Sequence, residues 1–243
     1  MSHPSIPCTI DPMQDVVWKN IIEDLFQDFV SFFLPDVFPH IDFSKPYDFL
    51  DKEFENLFPK TKKGRRYVDK LVKVFLKSGK EQWILIHTEI QGYYDDTFSL
   101  RMYTYFYRIY DRYRKNVISL AILADERPDW KPDHYESKFF QTELTFKYRT
   151  YKLLEQNEES LKASNNPFAL AVLASLDTMK SKRSEDKRYR FKLELSRLLF
   201  EKDIPKAKIE AVFTFINVLL QVENEQKQSQ FMEEVHKMAT AKN

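Results

Sequence analysis

The stretch RRYVDKLVKVFLKSGKEQWILIHTEIQ, residues 65–91, decides the fold. It reads as two β-strands joined by a tight turn at Ser78-Gly79. In the first strand Val68, Val72, Val74 and Leu76 alternate with Asp69, Leu71 and Phe75. In the second, Ile84, Ile86 and Ile90 alternate with Trp83, Leu85, His87, Glu89 and Gln91. Side chains two apart on a strand share a face, so Glu89 and Gln91 are expected to point the same way. With the strands paired about the turn, Asp69 projects from the same region of the sheet edge. Two carboxylates beside a polar amide make a seat for a divalent cation. The plainer alternative is that both acids are solvated edge positions, since charged groups avoid burial unless paired. Against it, the strands are apolar on both faces, as central covered strands are. The chain has three glycines, Gly64, Gly79 and Gly92, and they lie before, between and after these strands, where the backbone must turn.

These residues carry a resemblance. The stretch resembles the PD-(D/E)XK nuclease core, and more closely the bacterial recombination-promoting nuclease family, which is transposase-like. The matching pieces are WKNIIEDLFQDFVSFFLP (18–35), FLDKEF (49–54), RRYVDKLVKV (65–74) and ILIHTEIQ (84–91), continuing with FSLRMYTYFYRIYDRY (98–113), ISLAILAD (118–125) and FQTELTFKYRTYKL (140–153). They cover most of residues 15–180 in order and spacing. The resemblance implies a metal-dependent DNA endonuclease that hydrolyses phosphodiester bonds, in a setting of DNA recombination or mobile elements. By position, Asp69 matches the metal-binding Asp, Glu89 the second acid and Gln91 the usual Lys. Glu23 falls where many members place an acid on the first helix, with Asp24 beside it.

Gln91 is the departure. Its amide can hydrogen-bond but carries no charge. The related family commonly shows E-x-Q here, so the change does not by itself imply a dead enzyme. A bound metal carries much of the electrostatic load in such a site, activating water and stabilising charge on phosphate. Mg²⁺, with Mn²⁺ as a substitute, suits carboxylate and water ligands. Asp69, Glu89 and the backbone carbonyl of Ile90 form the expected ligand set.

At 243 residues the chain is long enough for one sizeable core, and 43% hydrophobic with 15% aromatic content is globular. The one cysteine, Cys8, has no partner for a disulfide or a structural zinc site, which fits a reducing compartment. MSHPSIPCTIDPMQD lacks a basic segment followed by an apolar run, so no signal peptide is expected. The apolar run FALAVLASL (168–176) is about half of what a spanning helix needs. A cytoplasmic protein with no membrane partner is the expectation.

The net charge of +1 gives little support to DNA binding by itself. Its distribution says more. Lys60, Lys62, Lys63, Arg65 and Arg66 precede the Asp69 strand, and Arg101, Arg108 and Arg112 recur at helical spacing after the Glu89 strand. Arg65, Arg66, Arg101 and Arg108 are the expected phosphate contacts. The cluster from Lys180 to Lys192 reads as a solvated face.

The pattern along the chain predicts an amphipathic helix over 14–33, a strand over 48–57, the two strands above, a helix over 97–114 and an apolar strand over 116–124. This order, helix, three strands, helix, strand, is that of an α/β fold with a restriction-endonuclease-like core. Tyr103, Tyr107, Tyr110 and Tyr113 read as packing and rim residues. Residues 125–142 read as a Pro- and charge-rich loop, and 143–153 as a further strand. Helices are expected over 166–181, 186–202 and 205–223, then a frayed helical tail. The expected division is a nuclease-like core over 1–160 and a helical C-terminal extension over 161–243, the latter a lid or a dimer surface.

Other chemistries find no motif. There is no glycine-rich phosphate loop, so no nucleotide cofactor is expected, and no H-E-x-x-H. His87 on the Glu89 face reads as a packed strand histidine. The expected function is a Mg²⁺-dependent DNA endonuclease, with a homodimer allowing two cuts. The alternative is a catalytically weakened DNA- or protein-binding module of the same fold.

Overall fold

The computed structural model describes residues 12–50, 68–79, 81–89 and 95–242. Two helices open it, α1 (Pro12–Asp24) and α2 (Phe26–Phe33). The single helix expected over 14–33 is broken at Leu25, whose φ of −126° and ψ of 38° leave the helical region. Neither proline nor glycine sits there. The bend divides the apolar stripe between two partners. Trp18 meets Phe215 edge to face at 5.0 Å, whereas Phe29 meets Phe168 at 5.2 Å.

Strand β1 (Asp48–Phe49) is short, and the rest of the strand expected over 48–57 lies, from residue 51, outside the described residues. Strands β2 (Val68–Phe75) and β3 (Glu81–Glu89) form the expected hairpin, with Leu71 opposite Leu85 and Val72 opposite Ile84. Gly79 closes the turn at φ +81°, a conformation that suits glycine. Helix α3 (Phe98–Tyr113) crosses over to β4 (Val117–Leu123), which pairs parallel to β3. Parallel neighbours require such a crossover.

The expected loop over 125–142 contains a strand. β5 (His134–Phe139) and β6 (Thr142–Lys147) form a separate two-stranded hairpin, and β7 (Arg149–Lys152) returns to the main sheet. Alternating charges on β5 hide it from a reading based on apolar residues. The main sheet has the order β1-β2-β3-β4-β7, antiparallel from β1 to β3 and parallel from β3 to β7.

Both faces are covered. Val72, Val74, Leu120 and Ile122 join one large cluster with α1, α2 and the later helices. Leu71 packs with Tyr105 and Ile109 of α3, and Ala121 and Leu123 pack with Phe98 and Met102 of the same helix. After β7 come α4 (Glu158–Ala163), α5 (Pro167–Ser181), α6 (Glu185–Glu201), α7 (Lys206–Leu219) and α8 (Glu225–Lys242). Pro167 occupies the first turn of α5, and the Asn166 side chain accepts from Phe168 N at 2.9 Å. The Asn166 amide also donates to Asp28 O and Ser31 Oγ, tying α5 to α2. Leu170 to Leu173 of α5 and Val212, Phe215 and Ile216 of α7 lie in the cluster that covers β2 and β4. The tail expected to fray is the docked helix α8, with Phe231 fully buried beneath it.

Candidate metal and DNA site

The hairpin sets the backbone of the two candidate acids. Asp69 lies opposite His87, and Glu89 lies two residues farther along β3. Glu89 is also opposite Leu123 of β4, and Leu123 is opposite Lys152 of β7. Glu89 therefore stands in a register row at the carboxyl ends of three parallel strands. Ile90 and Gln91 lie outside the described residues, as do Arg65 and Arg66. Two carboxylate residues and a following main-chain carbonyl are hard oxygen donors, the chemistry that Mg²⁺ accepts. Among the residues whose side chains are described, no group of three His, Cys, Asp or Glu comes together as a metal cage.

Glu23 sits near the end of α1 and reaches β2. Its carboxylate accepts from Lys70 Nζ, on the residue next to Asp69. Lys70 is fully buried and Glu23 is half-exposed. The ammonium lies 5.2 Å from the centre of the Phe49 ring, an aromatic face that favours a cation. The adjacent Asp24 carboxyl is raised from its ordinary value by burial first, then by the charges of Glu23 and Glu210. Lys70 was not among the expected site residues. Its available signal is a lone lysine in line with Val72 and Val74 on an apolar strand face.

Arg101, in the first turn of α3, pairs with Asp95 at 2.8 Å and lies 5.3 Å from the centre of the Phe98 ring. Its side chain is largely covered, so part of its charge is already met within the fold. Arg108, two turns on, is half-buried. Tyr103 stacks on Tyr107 at 6.2 Å and on Tyr135 of β5 at 5.2 Å, whereas Tyr107 and Tyr110 remain exposed.

Beside the carboxyl ends of β4 and β7 lies an ion pair the sequence reading missed. Lys152 Nζ donates to Asp125, and both side chains are wholly buried. Lys152 also donates to Trp130 O at 3.1 Å, and the second Asp125 oxygen accepts from Arg127 N at 2.9 Å. A buried pair is tolerated when further hydrogen bonds support it, and here each partner makes one more. It fixes the exit of β4 against β7, one strand away from Glu89. Asp125 ends the apolar run ISLAILA, and an acid directly after such a run was the signal available.

Compared with known proteins, the chain matches no family model, no curated protein and no solved structure. Among the described residues, no helix is long and apolar enough to cross a membrane.

Proposed function

We propose that this chain is a Mg²⁺-dependent DNA endonuclease with a restriction-endonuclease-like core, of the recombination-promoting nuclease type that its segments resemble. One observation carries the reading: Glu89 is at the carboxyl end of parallel strands β3, β4 and β7, two residues beyond the partner of Asp69. Crevices outside the carboxyl ends of parallel strands are where open α/β sheets bind ligands. The order of two helices, three strands, helix and strand supports the same reading.

In this reading Asp69, Glu89 and the Ile90 carbonyl would hold the cation. Bound there, Mg²⁺ or Mn²⁺ supplies an activated water and stabilises charge on the phosphate. Gln91 would be placed to hydrogen-bond the water or a phosphate oxygen. Lys70 ties Glu23 to β2 on the face of Val72 and Val74, one residue out of alternation with Asp69, so Glu23 is not counted among the ligands. Arg65, Arg66 and Arg108 meet the DNA backbone, and Arg101 contributes what Asp95 leaves of its charge. Two features favour a second reading, a weakened DNA- or protein-binding module: Gln91 in place of lysine, and the Arg101–Asp95 pair.

Plasmid cleavage by the pure protein separates the two. Cutting with Mg²⁺ or Mn²⁺ that EDTA abolishes supports the nuclease. DNA binding without cutting in either metal supports the module.

A further inference from the structure

The β5–β6 hairpin ends in two phenylalanines that the fold leaves uncovered. Phe139 and Phe140 are 73% and 84% exposed, with rings 4.7 Å apart. Phe139 pairs with Thr142, so the loop is the two-residue Phe140-Gln141. Phe140 has a φ of +51°, at a first turn position where glycine is usual in turns of this kind. A bulky residue held there is strained, and such strain gathers where a segment has work to do. The base of the arm is fixed. Tyr135 stacks on Tyr103 of α3, and Phe146 lies 4.7 Å from Phe106. Among the described residues no third strand joins the pair, so the outer edge of β5 pairs with no strand there. A two-stranded hairpin is marginal alone, and an open edge is a template for another strand.

We propose that β5 pairs antiparallel with β5 of a second copy of this chain, Glu136 opposite Lys138 of that copy. Charge selects the register. With Phe139 and Thr142 as the closing hydrogen-bonded pair, alternation turns the main-chain groups of Glu136 and Lys138 outward. Centring the two-fold axis on Ser137 sets each Glu136 against a Lys138, twice by symmetry. Moving the axis to Glu136 or to Lys138 sets like charges directly opposite, which is unfavourable. The centred register also puts Phe139 across from Tyr135 of the other copy, an aromatic cross-strand pair that covers the exposed ring. The partner is thus chosen by charge complementarity, and the arm's own Lys138–Glu143 pair shows that these side chains reach across strands.

Sedimentation equilibrium of the full chain across the micromolar range tests this. Wild type is expected to be a monomer–dimer equilibrium. Glu136→Lys and Lys138→Glu, each alone, are expected to weaken the dimer about tenfold or more by setting like charges opposite. The swap Glu136→Lys/Lys138→Glu, combined with Glu143→Lys to keep the arm's own pair, is expected to restore it. A merely misfolded arm would not be rescued by the swap, and failure of the rescue overturns the register. A wild type that is monomeric throughout, or single variants that dimerise like wild type, overturns the proposal. So does a monomer whose Phe139→Ser/Phe140→Ser variant loses duplex-DNA affinity, because the tip would then be a base-step wedge.

Discussion

At the scale of single residues, several ionisable side chains are buried, Lys70, Asp125, Lys152, Asp177 and Lys192 among them. Asp177 on α5 is largely buried, and burial pushes its carboxyl up to about 6 despite Lys180 at 3.6 Å. The folded protein therefore holds a proton on Asp177 over a range where the unfolded chain has released it. Stability contributed by this group falls as pH rises from about 4 to about 6. Asp177→Asn is expected to raise stability at pH 7 by roughly 2–3 kcal/mol, with the difference vanishing below pH 4. Urea unfolding of both proteins at pH 4, 5, 6 and 7 measures it. At the site itself, Gln91→Ala is expected to slow single-turnover cleavage to a rate between those of wild type and Glu89→Ala. Gln91→Lys is expected to keep or raise the rate, because it adds charge where negative charge develops. Wild-type speed in Gln91→Ala would reduce Gln91 to a strand residue.

At the scale of elements, the clearest readings came from strong periodicity. The helix expected over 97–114 is found at Phe98–Tyr113, and the strand expected over 116–124 at Val117–Leu123. The turn at Ser78-Gly79 is where the glycine suggested. An added Cβ at Gly79 meets nothing within 4 Å, so only backbone strain opposes substitution. Gly79→Ala is expected to cost about 1 kcal/mol and Gly79→Asn less, since asparagine tolerates the left-handed region. Thermal melts of the two variants check the order. Less legible was whatever depended on a distant partner. The break at Leu25 follows from two different helices, α7 and α5, claiming the two halves of one apolar stripe. Strand β5 carries His134, Glu136 and Lys138 on an exposed hairpin and lacks the apolar signature of a core strand. Helix α8 is polar over most of its length, and its order rests on Phe231, stacked 6.1 Å from Phe213 and 4.5 Å from Lys192 Nζ.

At the scale of the whole molecule, one sheet is covered by α3 on one face and by helices from both ends of the chain on the other. The helices after residue 160 do not stand apart, because α5 and α7 share a cluster with α1, α2 and the strands. The positions of Asp69 and Glu89 in the hairpin were legible from alternation and one turn. Lys70 and the Lys152–Asp125 pair were not, because a charged residue in sequence carries no mark of the partner that lets it be buried. The role proposed for Asp69 and Glu89 is to hold a metal at which DNA is cut. Its most direct test is Mg²⁺-dependent plasmid cleavage by wild type, Asp69→Ala and Glu89→Ala, each checked for a native circular dichroism spectrum. Wild type should cut and EDTA should stop it, while both folded variants should leave the plasmid intact. Cutting at the wild-type rate by either variant would contradict the assignment.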